Sequence, residues 1–143
     1  MQSEILKPVV VLIAWTLVML VWAVGTRLPA MKAAGVNLRK LVGGKGADAD
    51  GVLPARAQWK AHNYNHLTEQ PTIFYAVAFV IAFTGTAFPL NVYLAWGYVG
   101  LRIAHSLVQA TFNRVIVRFA LFLLSTLCLV ALTLHAATAV FHD

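Results

Sequence analysis

Charge is scarce in this sequence. Lys, Arg, Asp and Glu make up 11% of 143 residues, and mean hydropathy is +0.75. A soluble domain of this length cannot bury so much apolar surface, so lipid must cover part of it, and the chain reads as an integral membrane protein. The formal charge of +6 does not make it a nucleic-acid binder. The basic residues form no free arm and no stripe on a polar helix, and they cluster beside apolar runs, where they set topology and meet anionic headgroups. Cysteine is nearly absent: Cys128 alone cannot close an intrachain disulfide, and it sits in an apolar run as a small hydrophobe. The N-terminal run is expected to be a membrane span and not a cleavable leader, because Glu4 accompanies Lys7 where a basic region belongs, and the uncharged run Pro8–Thr26 is long enough to span a bilayer. Two loop motifs fail for want of residues. "DADG" (Asp48–Gly51) lacks the remaining ligands of a calcium loop, and "GGKG" (Gly43–Gly46) lacks the spacing and hydroxyl of a phosphate loop.

What is present reads as four helices, over about residues 6–28, 55–84, 88–113 and 115–141, in one membrane domain covering 1–143. The first ends near Arg27 and Pro29. A glycine- and aspartate-containing loop follows over about 31–54. No charge occurs from Gln70 to Leu101, a stretch too long for one helix, and Gly85 and Pro89 break it into a tight hairpin. Each half is then too short to span by apolar residues alone, so polar sequence must complete it. The last helix is uncharged from Phe119 to Phe141. The fold class expected is therefore an all-α integral membrane protein, a four-transmembrane-helix bundle. Ten of the eleven Lys and Arg residues lie at the ends facing the first and third connections. The positive-inside rule puts those connections in the cytoplasm and both termini on the other side.

The polar ends of helices two and three share a leaflet and must face a bundle interior or a wet cleft. On helix two, His62, His66 and Glu69 recur at i, i+4 and i+7 with Asn65 alongside. On helix three, Arg102, His105, Gln109 and Asn113 share a face, and Arg114 and Arg118 open helix four one turn apart. Several cations, one carboxylate and neutral amides suit a small zwitterion with more than one carboxylate. Two other readings use the same residues. Asn, Gln and His are common interhelical glue, and Glu69 could simply pair with an arginine. His62, His66, Glu69 and His105 could also hold a metal, but they match no known signature and the arginines would repel a cation, so no metal is expected.

"RIAHSLVQ" (Arg102–Gln109) is similar to the Arg-Ile-x-His-x-x-x-Tyr of microsomal glutathione transferases. "NR" (Asn113–Arg114) resembles the pair opening their fourth helix, "KAH" (Lys60–His62) their Arg-Ala-His, and "RAQ" (Arg56–Gln58) the Arg-Ala-Gln of leukotriene synthases. By these motifs the chain resembles the MAPEG family, membrane-associated proteins of eicosanoid and glutathione metabolism, as a bacterial-type member. The resemblance implies a homotrimer that binds glutathione between neighbouring subunits at the cytoplasmic side, with a lipophilic electrophile or lipid hydroperoxide arriving from the bilayer. It also implies an arginine that stabilises the thiolate, with Arg114 first and Arg118 second. Arg56, His62, Asn65, His66, Glu69, Arg102, His105, Gln109 and Asn113 would bind glutathione. Two departures stand out. The family spacing would place Asn and Glu at Tyr64 and Leu67, where this chain has Asn65 and Glu69 further on, and Gln109 replaces the tyrosine of active members. They keep open a second class of function, a non-catalytic member that binds a lipid or a partner membrane protein.

Overall fold

The computed structural model describes residues 2–142, except the side chain of Gln2, and every element is helical among them. A 3-10 turn, Gln2–Ile5, leads into α1 (Leu6–Ala33). After the loop, itself carrying a 3-10 helix at Gly46–Gly51, come α2 (Ala55–Leu67), α3 (Pro71–Phe83), α4 (Pro89–Ala110) and α5 (Val115–Phe141). Two helical stretches, Ser3–Ala33 and Val115–Phe141, are long and apolar enough to cross a bilayer. In hydrocarbon every backbone N–H and C=O must be met within the chain, which is why such apolar runs are helical.

The helix expected over 88–113 ends at Ala110, so Asn113 lies in the turn after it and not on its face, and two more limits differ from the expected ones. α1 does not stop near residue 28 but runs through Pro29 to Ala33. Proline removes one N–H, a loss that a long helix absorbs with a local kink. The stop is supplied by Gly35, whose φ of 75° allows Val36 N–H to reach the Met31 carbonyl and Gly35 N–H the Lys32 carbonyl, a Schellman closure. The helix expected over 55–84 is broken at Thr68–Gln70. Pro71 has no N–H to give the Leu67 carbonyl and its ring crowds that carbonyl, so α2 ends and α3 restarts with proline in its first turn. Thr68 and Thr72 cover the break by donating to the carbonyls of Asn65 and Glu69, each at 2.7 Å.

The buried stripes explain the packing. Val9, Leu12, Met19 and Ala23 line one side of α1, and Ser125, Leu129, Leu132 and Ala136 one side of α5. Their other faces, including Val10, Leu17 and Val21 on α1 and Leu127 and Leu134 on α5, are exposed and apolar. α4 is the central element. Asn91, Ala95, Tyr98, Val99, Arg102, His105, Ser106 and Gln109 form one buried stripe along its length, and it meets α1, α2 and α5. The Phe74 and Tyr98 rings stack at 4.5 Å and lock α3 to α4.

Candidate functional site

The second half of α4 carries the most unusual burial in the molecule. Arg102 is 0% exposed. Its Nη2 lies 2.8 Å from His66 Nδ1 on α2 and 3.4 Å from the His66 carbonyl. A guanidinium only donates, so His66 Nδ1 accepts and the neutral ring carries its proton on Nε2. The Tyr98 and Phe122 rings flank the cation, with centroids 6.0 and 5.8 Å from Cζ. Nε and Nη1 of Arg102 have no partner, and no carboxylate pairs with it among the described residues.

His105, one turn along α4, puts its ring 4.8 Å from that of His66. The two histidines, with Val115, Arg118, Phe119 and Phe122, line a cleft of about 190 Å³. Arg118 is half-buried and donates from Nη1 to the Asn113 side-chain oxygen, while its Nε is unbonded. Asn113 adopts φ 51°, a left-handed conformation that asparagine tolerates better than most residues, and this turns the chain from α4 into α5. Gln109 is buried with its side-chain oxygen unpartnered. His66, Arg102, His105, Gln109, Asn113 and Arg118 are thus assembled at one end of the bundle.

The remaining residues of the expected site are not brought in. Counting His62, His66 and Glu69 as one face assumes an unbroken helix. Past the break before Pro71, Glu69 is exposed and makes no ion pair among the described residues, although its charge still reaches His66 and Arg102, and Asn65 is likewise exposed. His62 is exposed and its Nε2 lies 2.9 Å from Asp50 Oδ1. Arg56 and Arg114 are exposed too.

Other residues take the inward places. Asn63 is fully buried and donates to Ser106 Oγ at 2.7 Å, where Trp15 Nε1 also donates at 3.0 Å. Gln58, 2% exposed, donates to Asp50 Oδ1. The side-chain oxygens of Asn63 and Gln58 are unpartnered. Gln70 accepts from Tyr98 and donates to Thr126. Ser106 was legible in principle, since it lies one turn beyond Arg102 on the same stripe. Gln70 and Asn63 were not, because their inward aim depends on the break and on the partner helix.

Arg102 Nε and Nη1, Arg118 Nε and the side-chain oxygens of Gln58, Asn63 and Gln109 are buried atoms without a partner, and of these residues Arg118 lines the cleft. At the cleft a carboxylate can be bonded by Arg118, with Arg102 bonded to the His66 ring that forms part of the wall. A family model, that of the MAPEG family, matches residues 5–138. No curated protein and no solved structure matches the sequence.

Proposed function

The chain belongs to the MAPEG family of membrane proteins, whose members include glutathione transferases and peroxidases, and on that premise we propose that it is a glutathione-dependent transferase or peroxidase acting on lipophilic electrophiles or lipid hydroperoxides. The observation that carries this reading is the Arg102 guanidinium, fully buried with two nitrogens unbonded. A buried cation bonded to a neutral ring and flanked by aromatic faces, with no carboxylate in ion-pair contact, still carries part of a desolvation cost of several kcal/mol, on the order of that for one ion, which an anion beside it would offset. In this reading one glutathione carboxylate meets Arg118 in the cleft, and the other reaches the unbonded nitrogens of Arg102, which lie outside the cleft's lining, once the His66 ring moves aside. When bound, glutathione supplies a thiol whose thiolate is the nucleophile.

The protein's part is to hold the anionic ligand and to favour the thiolate. A free cysteine thiol has a pKa near ~8.5, and a cation beside it lowers that value. Arg118 is the better candidate for this role, because it lines the cleft with His66 and His105, whereas Arg114 is exposed at the start of α5. His66 and His105 form the polar wall. Phe119 and Phe122 give the cleft an apolar side toward α5, suited to a lipophilic second substrate. In the proposed topology α1, the broken pair α2–α3, α4 and α5 make four spans, with both termini on the non-cytoplasmic side and this site in the cytoplasmic half. Arg56, His62, Asn65, Glu69 and Arg114, exposed in one chain, are then available to a neighbouring copy in a homotrimer of the microsomal glutathione transferase type.

Gln109 favours a second reading. An amide stands at the α4 position where active members carry a tyrosine, which accords with a non-catalytic member that binds a lipid or a partner membrane protein. Ultraviolet difference absorbance on mixing the detergent-purified protein with glutathione separates the two. A saturable thiolate signal is expected, reduced at least ~10-fold at neutral pH in Arg118→Ala, the equivalent of one pKa unit, and retained in Arg114→Ala. No signal and no heat of binding would overturn the transferase reading and leave the second.

A further inference from the structure

At the opposite end of α4, and outside the site described above, α5 carries a histidine within its apolar span. His135 Nδ1 lies 2.5 Å from Asn91 Oδ1. Asn91 is 3% exposed, and its amide nitrogen donates to the Thr86 carbonyl at 2.8 Å, which leaves its oxygen facing the ring. Nδ1 must therefore carry a proton, and in the neutral ring Nε2 keeps a lone pair. No described group bonds Nε2. His135 and Asn91 line a cleft of about 380 Å³ together with Thr86, Phe88, Leu90, Thr138 and Ala139.

The polar groups around this cleft have spent their hydroxyl protons. Thr138 donates to the His135 carbonyl at 2.8 Å. Thr84 donates to the Val80 carbonyl, so the contact between the Thr84 and Thr86 hydroxyls is a donation by Thr86. His135 Nε2 and the threonine oxygens are left as acceptors, set between apolar walls. No Lys, Arg, Asp or Glu lines the cleft. A carboxylate would meet only lone pairs there, and an ammonium would meet no counter-charge. A metal has too few ligands, since among the described residues no three His, Cys, Asp or Glu side chains come together. An ionisable side chain inside a membrane span, oriented by a dedicated partner and facing a cleft, marks a binding site.

We propose that this cleft binds a lipophilic alcohol or phenol, whose hydroxyl donates to His135 Nε2 while its hydrocarbon body lies against Phe88, Leu90 and Ala139. Eleven residues separate Asn91 from Arg102 on α4, roughly 16 Å at the helical rise, so the two sites are distinct.

The test uses the full chain in detergent with 2-naphthol and its methyl ether, 2-methoxynaphthalene, as probes. The two share shape and apolarity, but only the first has a proton to give. Binding is read by quenching of the protein's tryptophan fluorescence and by the Nε2 resonance of ¹⁵N-labelled His135. Saturable binding of naphthol at least tenfold tighter than that of the ether, with a shift at Nε2, is expected. Ala139→Phe, which fills the cleft and leaves the His135–Asn91 bond in place, should abolish it. Equal binding of the two probes would overturn the proposal without recourse to any variant, and so would naphthol binding that survives Ala139→Phe. In either case His135 and Asn91 serve only to join α4 to α5.

Discussion

The two ends of α4 bury similar polar side chains and treat them differently. At the hairpin end Asn91 is bonded at both amide atoms, to the Thr86 carbonyl and the His135 ring, and the pair closes α4 onto α5. At the other end Arg102, Gln109, Gln58 and Asn63 are as deeply buried, yet each keeps an atom without a partner. A buried amide with its bonds made costs little, whereas an unmet donor or acceptor carries most of its desolvation penalty, about 1–3 kcal/mol and more for a charge. The hairpin-end pair is finished within one chain. What it leaves open, the far ring nitrogen of His135, is a neutral acceptor, whereas the Arg102 end leaves charged donors unmet. That is the physical ground for placing an anion at that end and an uncharged hydroxyl at the other.

The largest expected effect follows from removing the least satisfied group. Arg102→Met should weaken glutathione binding by about 30- to 100-fold, the equivalent of ~2–3 kcal/mol for lost charge-assisted hydrogen bonds. The same change should leave the helical melting temperature unchanged or raise it, because it deletes an unpaired buried cation. Calorimetric titration and circular dichroism melts in the same detergent read both. A collapse in stability with binding intact would make Arg102 a structural group and erase the difference between the ends.

Asn91→Leu probes the other side. It strands the His135 Nδ1–H and the Thr86 carbonyl, so a loss of ~1–3 kcal/mol is expected in the thermal or denaturant midpoint. Glutathione binding should be unaltered. Adding His135→Leu should recover part of the loss, since replacing both partners by apolar groups can be nearly neutral. If Asn91→Leu also lowers glutathione binding, the two ends are coupled along α4.

How far the sequence foretold this arrangement depended on whether a helix was continuous. The all-helical membrane class was legible from scarce charge and two long uncharged runs. Arg102, His105 and Gln109 were legible as one face because α4 runs unbroken from Pro89 to Ala110, and counting by turns works there. The same count failed across Thr68–Gln70. Pro71 resets the register, so Glu69 leaves the face and Gln70 turns in toward Tyr98 and Thr126. Asn63 was illegible for a different reason: it is inward because Ser106 on α4 meets it, a fact of tertiary packing. Asp50 lies in the loop, and no local pattern ties it to Gln58 and His62.

Asp50 also marks how far the unfinished end extends. Its Oδ1 accepts from Gln58 Nε2 at 2.8 Å and from His62 Nε2 at 2.9 Å, pinning the Gly46–Gly51 segment onto α2. Asp50 and His62 are exposed, so water can replace much of what the bonds provide, and Asp50→Ala should cost under about 1 kcal/mol in global stability. The local effect should be easier to see. With the pin removed, tryptic cleavage after Lys45 should quicken several-fold, because protease attack follows local opening and not the global midpoint. The Asp48 carboxylate still holds the Lys45 backbone N–H at 2.7 Å, which limits the gain. Glutathione binding should be nearly unaffected, because removing Asp50 leaves the unbonded side-chain oxygen of Gln58 in place. A large loss of binding in Asp50→Ala would mean that Gln58 is aimed at the site by the loop. The contrast would then lie between a loop-braced end of α4 and a hairpin end that braces itself.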